Sequence, residues 1–363
     1  MRQGLFRGNV MSRAIARIAR WTLPAPGIRE RILTGGDHSF LVAAADAGRT
    51  DFPCPDESPA FRGCGRLRSS LCSVEQLDSD AFRYWCERME RGFCYHRKLW
   101  EWAFICQALY ERGMLARGKR GLGFAVGTEP LASLFASRGC EIVATDLDTG
   151  DARASNWSGN HQLASAARLN ENGLCDEAAF RRLVSFRPVD MNHLPSDLGD
   201  FDFTWSSCSF EHCGSIELGL EFLWRQMECL APGGCAVHTT ELNLSSNRRT
   251  IERGDTVLFR RRDIEGFFRR LAAAGHAFEP LDLSLGNHPL DRQVDRPPYS
   301  PQAHLRLELG SFVTTSIGLI LYKAGQRSVD LSPHYAASSR RKHVDHQLQI
   351  ATDAEHRGDD GDG

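Results

Sequence analysis

Residues Arg120–Asp148 read RGLGFAVGTEPLASLFASRGCEIVATDLD. RGLGFAV is strand-like and runs into a glycine-bearing loop. TEPLASLFASRG then has the marks of a helix. Thr128 is the expected N-cap, and Pro130 falls in the first turn, where its missing N–H costs little. Leu131, Leu134 and Phe135 form the buried stripe, and Gly139 ends the helix. EIVATDLD follows as a second strand. The stretch is therefore a strand–helix–strand unit with a polar turn at each strand end.

The alternation continues outward. RLVSFRPVD, FDFTWSSCSF and GCAVHTTEL read as further strands. LGLEFLWRQMECL places Leu220, Leu223, Met227 and Leu230 on one helical face, and RRDIEGFFRRLAAAGH does the same with Ile264, Phe267, Phe268 and Leu271. Upstream, FCYHRKLWEWAFICQALYERGML spaces Leu99, Trp102, Ile105 and Leu109 as an amphipathic helix ending near Gly113. HLRLELG and TTSIGLILYKA suit two closing strands paired antiparallel. Such alternation predicts an α/β fold with a mostly parallel, doubly wound sheet. Its ligands are expected at the carboxyl ends of the strands. Three segments follow: an N-terminal extension over 1–79, partly disordered, the α/β domain over 80–325, and a polar tail over 326–363.

Composition excludes some classes. The 363 residues are 42% hydrophobic and 25% charged with a net charge of −2, as in an ordinary soluble protein. This balance gives no expectation of nucleic acid as a partner. No apolar run approaches the roughly 20 residues of a membrane helix, and no secretory leader is recognisable. The 12 cysteines contain no C-x-x-C pair, which argues against a zinc ribbon or redox motif and for reduced thiols in the cytoplasm. The Arg-rich first 30 residues, numbered in the sequence, read as a disordered extension, a surface-binding segment or a transit-like leader.

The loop does not match G-x-G-x-x-G, because the third glycine falls one residue late, at Gly127. Asp146 closes the second strand about 20 residues on, where a carboxylate accepts ribose hydroxyls. That spacing leaves NAD and S-adenosylmethionine both open. Glu129 in the first helical turn would repel a pyrophosphate but suits a sulfonium cation. Taken singly, Gly127 also fits a tight turn and Asp146 a helix cap. With Asp190 they combine into a cofactor reading.

The order of segments resembles the class I S-adenosylmethionine-dependent methyltransferases. More closely, the chain resembles a bacterial branch associated with glycan-assembly genes, through the block quoted above together with FRPVDMNHLP, FDFTWSSCSFEHCGSIELGL, CLAPGGCAVHTTELNLSSN and VLFRRRDIE. The resemblance implies a Rossmann-like, seven-stranded, mostly parallel sheet with helices on both faces and a reversed C-terminal hairpin. It implies that Gly123, Ala125 and Gly127 meet the cofactor's amino-acid part, Asp146 the ribose, and Asp190 with Met191 the adenine. Ser206 and Ser207 are then expected near the methionyl group. The acid that most of that superfamily carries before its glycines is missing, the nearest positions being Gly121 and Gly123. Glu129 is the candidate to supply that carboxylate instead.

An O-methyltransferase also gains from a base. His212, Glu211 and Glu241 follow the fourth and fifth strands and are the candidates, with His212 the most natural near neutral pH. His238 reads as a packed mid-strand residue, and His193 as a cleft-lining or loop-stabilising one. Glu211, Glu241 and Asn243 resemble a metal cluster, but no spacing compels a metal. Trp100, Trp102 and Trp157 read as packing residues, with one of them stacking on adenine or a sugar as the alternative. The insertion GNHPLDRQVDRPPYSPQ, with Asp291, Arg292 and Tyr299, stands where substrate-selecting elements occur. The expected activity is O-methylation of a small-molecule or glycan-linked acceptor. The alternatives are an NAD-dependent Rossmann oxidoreductase and a non-catalytic adenosyl-binding module.

Overall fold

The computed structural model describes residues 66–148, 168–300 and 303–325. In chain order the elements are β1 (Ser69–Leu71), α1 (Val74–Asp78), α2 (Asp80–Arg88), α3 (Arg97–Tyr110), β2 (Arg120–Gly123), α4 (Leu131–Ser137), β3 (Glu141–Asp146), α5 (Glu177–Leu183), β4 (Val184–Pro188), β5 (Phe201–Ser207), α6 (Ile216–Cys229), β6 (Leu230–Asn243) and α7 (Arg261–Ala273). The short strands β7 (Ala277–Phe278), β8 (Leu281–Asp282) and β9 (Val294–Asp295) precede β10 (Arg306–Leu309) and β11 (Phe312–Tyr322).

The sheet order is β4-β3-β2-β5-β6-β11-β1-β8. The first five strands are mutually parallel. β11 runs antiparallel to β6, from Thr314 opposite Asn243 to Tyr322 opposite Cys235. β10 folds back on β11 as the expected reversed hairpin. The fold is α/β and Rossmann-like.

The sheet has 11 strands rather than seven. The additional ones are two- or three-residue segments, too short to show a period-2 pattern. One of them, β1, brings the chain before Asp80 into the sheet, opposite Gly318 and Ile317 of β11.

Alternating side chains build two cores. Phe203, Trp205, Val237 and Ile320 face α2, α3 and α4, whereas Leu122, Ala236, Ile317 and Leu319 face α6 and α7. The inward stripes expected for α4 and α7 are buried. α3 departs from expectation, because every residue but Lys98 is buried. The sheet covers one side of it, and α1 and α2 cover another, so an apparently amphipathic helix lies inside. α4 also starts later than read, with Pro130 and not Thr128 at the N-cap.

The cysteines among the described residues are free thiols. No helix among the described residues is long and apolar enough to cross a membrane. Cys54, Cys64 and Trp157, with the extension before residue 66 and the tail, lie outside the described residues.

Candidate cofactor and acceptor site

The chain leaves β2 toward α4 on one face of the sheet and leaves β5 toward α6 on the other. The crevice between these adjacent strands is the switch point where doubly wound sheets bind ligands. The loop after β2 is pinned on both sides. Phe124 N–H donates to the Trp205 carbonyl (2.9 Å) and Val126 N–H to the Thr145 carbonyl (3.0 Å). Ala125 (φ 46°) and Gly127 (φ 53°) are left-handed, the former a strained position for a residue with a Cβ.

Gly121 and Gly123 serve packing beneath this loop. A side chain at Gly121 would overlap the Phe203 ring, and one at Gly123 would overlap Trp205 and Val126. This is the physical reason why no acid stands there. Asp146, 6% exposed, turns its carboxylate toward the loop. Oδ2 accepts from Gly127 N–H (3.0 Å) and Oδ1 from Leu147 N–H (2.8 Å). The amide that a pyrophosphate would need is therefore used inside the protein.

Glu129 stands at the head of α4. Its Oε2 is shut off from solvent and completes no hydrogen bond among the described residues, and the same holds for the Trp102 indole nitrogen. Burial pushes the Glu129 carboxyl up to about 7, opposed by the Lys98 ammonium and by the nearby Trp102 and Ser207 side chains. Ser207, at the end of β5, donates to Glu101 Oε2 (3.2 Å).

Three charged residues on α3 were not singled out from the sequence. Lys98 Nζ lies 2.6 Å from Glu101 Oε2 and 3.4 Å from the Ser207 hydroxyl. Arg97 pairs with Glu101 (3.4 Å) and more tightly with Glu241. Burial alone would raise the Glu101 carboxyl, yet Lys98 and Arg97 outweigh it and hold the group down at about 2. The available signal was RKLWE, an ion-pair spacing inside an otherwise apolar helix.

Across the crevice, Cys208 (φ 47°) follows β5 and leads into a turn of 3₁₀ helix over Phe210–His212. Cys208, Glu211 and Glu241 bring one ligand-type atom each to within 4.8 Å of one another. Asn243 is not part of this group, because its amide holds the Arg249 carbonyl (3.0 Å) and the Thr250 hydroxyl (3.1 Å). Arg97 occupies the cation position at Glu241, and Thr314 donates to the other oxygen of that carboxylate (2.9 Å). Burial first, and the Glu241 charge second, push the Glu211 carboxyl up to about 8; Thr240 donates to it (2.9 Å).

His212 is better disposed as a base. Its Nδ1 lies 2.7 Å from the Asp255 carbonyl, which can only accept, so Nδ1 carries the hydrogen and Nε2 the lone pair. Burial draws the imidazole down to about 4, against the effect of the Asp255 bond, leaving it neutral at pH 7. His238 is fully buried and pairs with Ser206 (2.8 Å), as expected of a packed residue.

On the side of β3 and β4, Asp190 follows β4. Oδ1 accepts from Asn192 N–H (3.0 Å), and Oδ2 meets His193 Nδ1 (2.9 Å). Met191 packs beside the α6–α7 core. The His193 side chain is 82% exposed and steadies this turn instead of lining the crevice. In the insertion, Asp291 is buried and accepts from Val74 N–H (2.9 Å), Tyr299 donates to the Glu308 carbonyl (2.7 Å), and Arg292 is exposed. Asp291 thus fastens the insertion to α1, and Tyr299 fastens it to β10. Trp100 donates to Gln76 (2.8 Å) and packs on Phe104, a core role.

No family model matches the chain, and no curated protein does. Solved structures with a similar fold include the [4+2]-cyclase SpnF, at 16% identity and a TM-score of 0.42, covering 71% of this chain and 100% of that one. Magnesium protoporphyrin IX methyltransferase from Synechocystis, with bound S-adenosylhomocysteine, aligns at 12% identity and a TM-score of 0.38, covering 69% of this chain and 97% of that one. Phosphoethanolamine N-methyltransferase 2 from Haemonchus contortus, in complex with S-adenosylmethionine, aligns at 19% identity and a TM-score of 0.31. That alignment covers 45% of this chain and 35% of that one. The shared feature is the fold.

Proposed function

We propose that the chain is an S-adenosylmethionine-dependent methyltransferase that methylates a hydroxyl of a small-molecule or glycan-linked acceptor in the cytoplasm. The observation that carries this reading is the pair formed by Glu129 Oε2 and the Trp102 N–H, both buried and uncompleted at the switch point. A buried carboxylate there suits a cationic ligand and opposes a pyrophosphate. In this reading Ala125, Gly127, Glu129 and Ser207 hold the methionyl end. Asp146 receives the ribose, and Asp190 with Met191 the adenine. Gly123 contributes by letting the loop pack.

The cofactor would supply a methyl group already activated on a sulfonium. The protein's own task is then alignment, which can contribute roughly 7–11 kcal/mol. His212 Nε2 takes the acceptor proton, with Nδ1 fixed by the Asp255 carbonyl. Glu211 and Glu241 shape the acceptor side. Because Arg97 already neutralises Glu241, methyl transfer is expected to continue undiminished in excess EDTA.

The direct test is calorimetry with S-adenosylhomocysteine and with NAD. Binding of the first and not the second supports the reading; tight NAD binding would overturn it. A mass-spectrometric screen of sugar acceptors for one added methylene identifies the substrate. Two further outcomes are expected. His212→Gln should lower kcat by about 10²–10⁴ with donor affinity unchanged, and a kcat within a factor of three or so would remove His212 as the base. Glu129 attracts a cation only when ionised, and its carboxyl titrates at about 7. Affinity for S-adenosylmethionine should therefore rise from pH 6 to pH 8, by at most about tenfold. Glu129→Gln should bind it weakly and with no such dependence.

A further inference from the structure

A basic groove borders the acceptor side of the crevice and takes no part in the steps above. Beyond β6 the chain turns back across the carboxyl end of the sheet. Asn243 Oδ1 accepts from Ser245 N–H (2.8 Å) and Ser246 N–H (3.2 Å), and the Ser246 hydroxyl caps the amides of Arg248 (3.1 Å) and Arg249 (2.9 Å). Arg260, 5% exposed, donates to the Arg248 carbonyl (2.8 Å). The backbone of Arg248 and Arg249 is thus fixed from below by two buried side chains, Asn243 and Arg260.

Both guanidinium-bearing residues are exposed. Their neighbours Arg253, Arg260, Arg261 and Arg262 each reach a carboxylate. Arg248 and Arg249 reach none among the described residues. With Thr250, Glu252, Ser311 and Phe312 they line an open surface groove of about 450 Å³. The one acid in that lining, Glu252, bonds Arg260 at 2.7 Å, a guanidinium that it shares with Asp263. The groove lies along β11 from the crevice. Phe312 stands two residues before Thr314, which bonds Glu241 and pairs in register with Asn243; two residues along a strand span about 7 Å.

We infer that this groove binds a phosphate or diphosphate carried by the methyl acceptor, which makes the substrate a phosphorylated sugar derivative. This rests on the methyl-transfer reading of the adjacent crevice. Two unpaired guanidiniums on a fixed backbone offer the forked donors that phosphate oxygens accept. The Ser311 hydroxyl adds a donor, and the Phe312 ring offers a face for an attached sugar or base.

The test uses the full chain and inorganic pyrophosphate as the calorimetric probe, with S-adenosylhomocysteine titrated separately. Wild type should bind pyrophosphate, and binding should weaken with added salt. The double variant Arg248→Ala, Arg249→Ala should lose at least tenfold in pyrophosphate affinity and none for S-adenosylhomocysteine. The corresponding double lysine variant should fall between the two. Unchanged pyrophosphate binding in the double alanine variant, or none in wild type that still binds S-adenosylhomocysteine, overturns the assignment. Loss of S-adenosylhomocysteine binding with pyrophosphate binding intact would sink the methyl-transfer reading alone. A nucleoside diphosphate outcompeting anionic phospholipid vesicles supports a soluble acceptor, and the reverse order supports a lipid-linked one. Arginine-dependent binding of an RNA or DNA oligonucleotide tighter than that of pyrophosphate would overturn the sugar-phosphate class.

Discussion

Asp146→Ala is expected to abolish measurable binding of S-adenosylhomocysteine, a loss of at least about 100-fold. The carboxylate accepts the Gly127 and Leu147 amides and in the proposed complex meets the ribose. Two hydrogen bonds to a charged group, at roughly 1.5–3 kcal/mol each, supply that factor. Truncation also leaves both amides without their acceptor, so the Gly127 turn loses its fixed shape. Asp146→Asn keeps one acceptor oxygen and should bind at an intermediate level. Melting curves without ligand separate a loosened loop from a lost contact. Affinity within about threefold of wild type for the alanine variant, measured by calorimetry, would remove Asp146 from the site.

Glu101→Ala should be the most damaging single change to stability, by about 3–5 kcal/mol, the range for breaking a buried ion pair from one side. Glu101 is fully buried and receives Lys98, Arg97, Ser207 and Ser316. Without it, Lys98 loses its partner inside α3 and Arg97 keeps only Glu241. The double variant Lys98→Met, Glu101→Leu removes one charge of each sign and leaves the Arg97–Glu241 pair balanced, so it should recover part of the loss. Denaturant melts of the three proteins decide this. A double variant no better than Glu101→Ala would show that the pair is not what the site depends on. The pH dependence has a definite sign. The Glu101 carboxyl is held at about 2 in the folded chain, below its unfolded value. Its contribution is therefore complete above about pH 5, and it fades as pH falls toward 2.

The strand–loop–helix–strand unit at Arg120–Asp148 was legible because local patterns decide it. β2 and β3 are short apolar runs buried by helices on both faces, and Gly139 stops α4 with a left-handed turn (φ 86°). The reversed hairpin was legible for the same reason, with Leu309 and Phe312 flanking a two-residue turn. The start of α4 was misread, since Thr128 has the chemistry of a cap but Pro130 holds the N-cap position, with no side-chain cap bond. The short added strands were invisible, because β1 and β7 are defined by pairing with distant strands, β11 for both and β8 for β1.

For the site, the sequence by itself determined which end of the sheet to look at and which acids stand there. In a parallel sheet, whatever follows a strand lies at the ligand-binding edge, so Glu129, Asp146, Glu211, His212 and Glu241 could be named from position alone. Only the tertiary structure decided their partners. It turned Asp146 toward Gly127, gave Arg97 to Glu241, and set His212 against Asp255. It also assigned Gly121 and Gly123 to packing and buried all of α3 except Lys98. Those decisions rest on contacts such as Ser207 with Glu101, 106 residues apart, and Ser316 with Glu101, 215 apart. Residue type and spacing encode local geometry. The partner of a buried charge depends on which distant segments the fold brings together, and no local pattern carries that information.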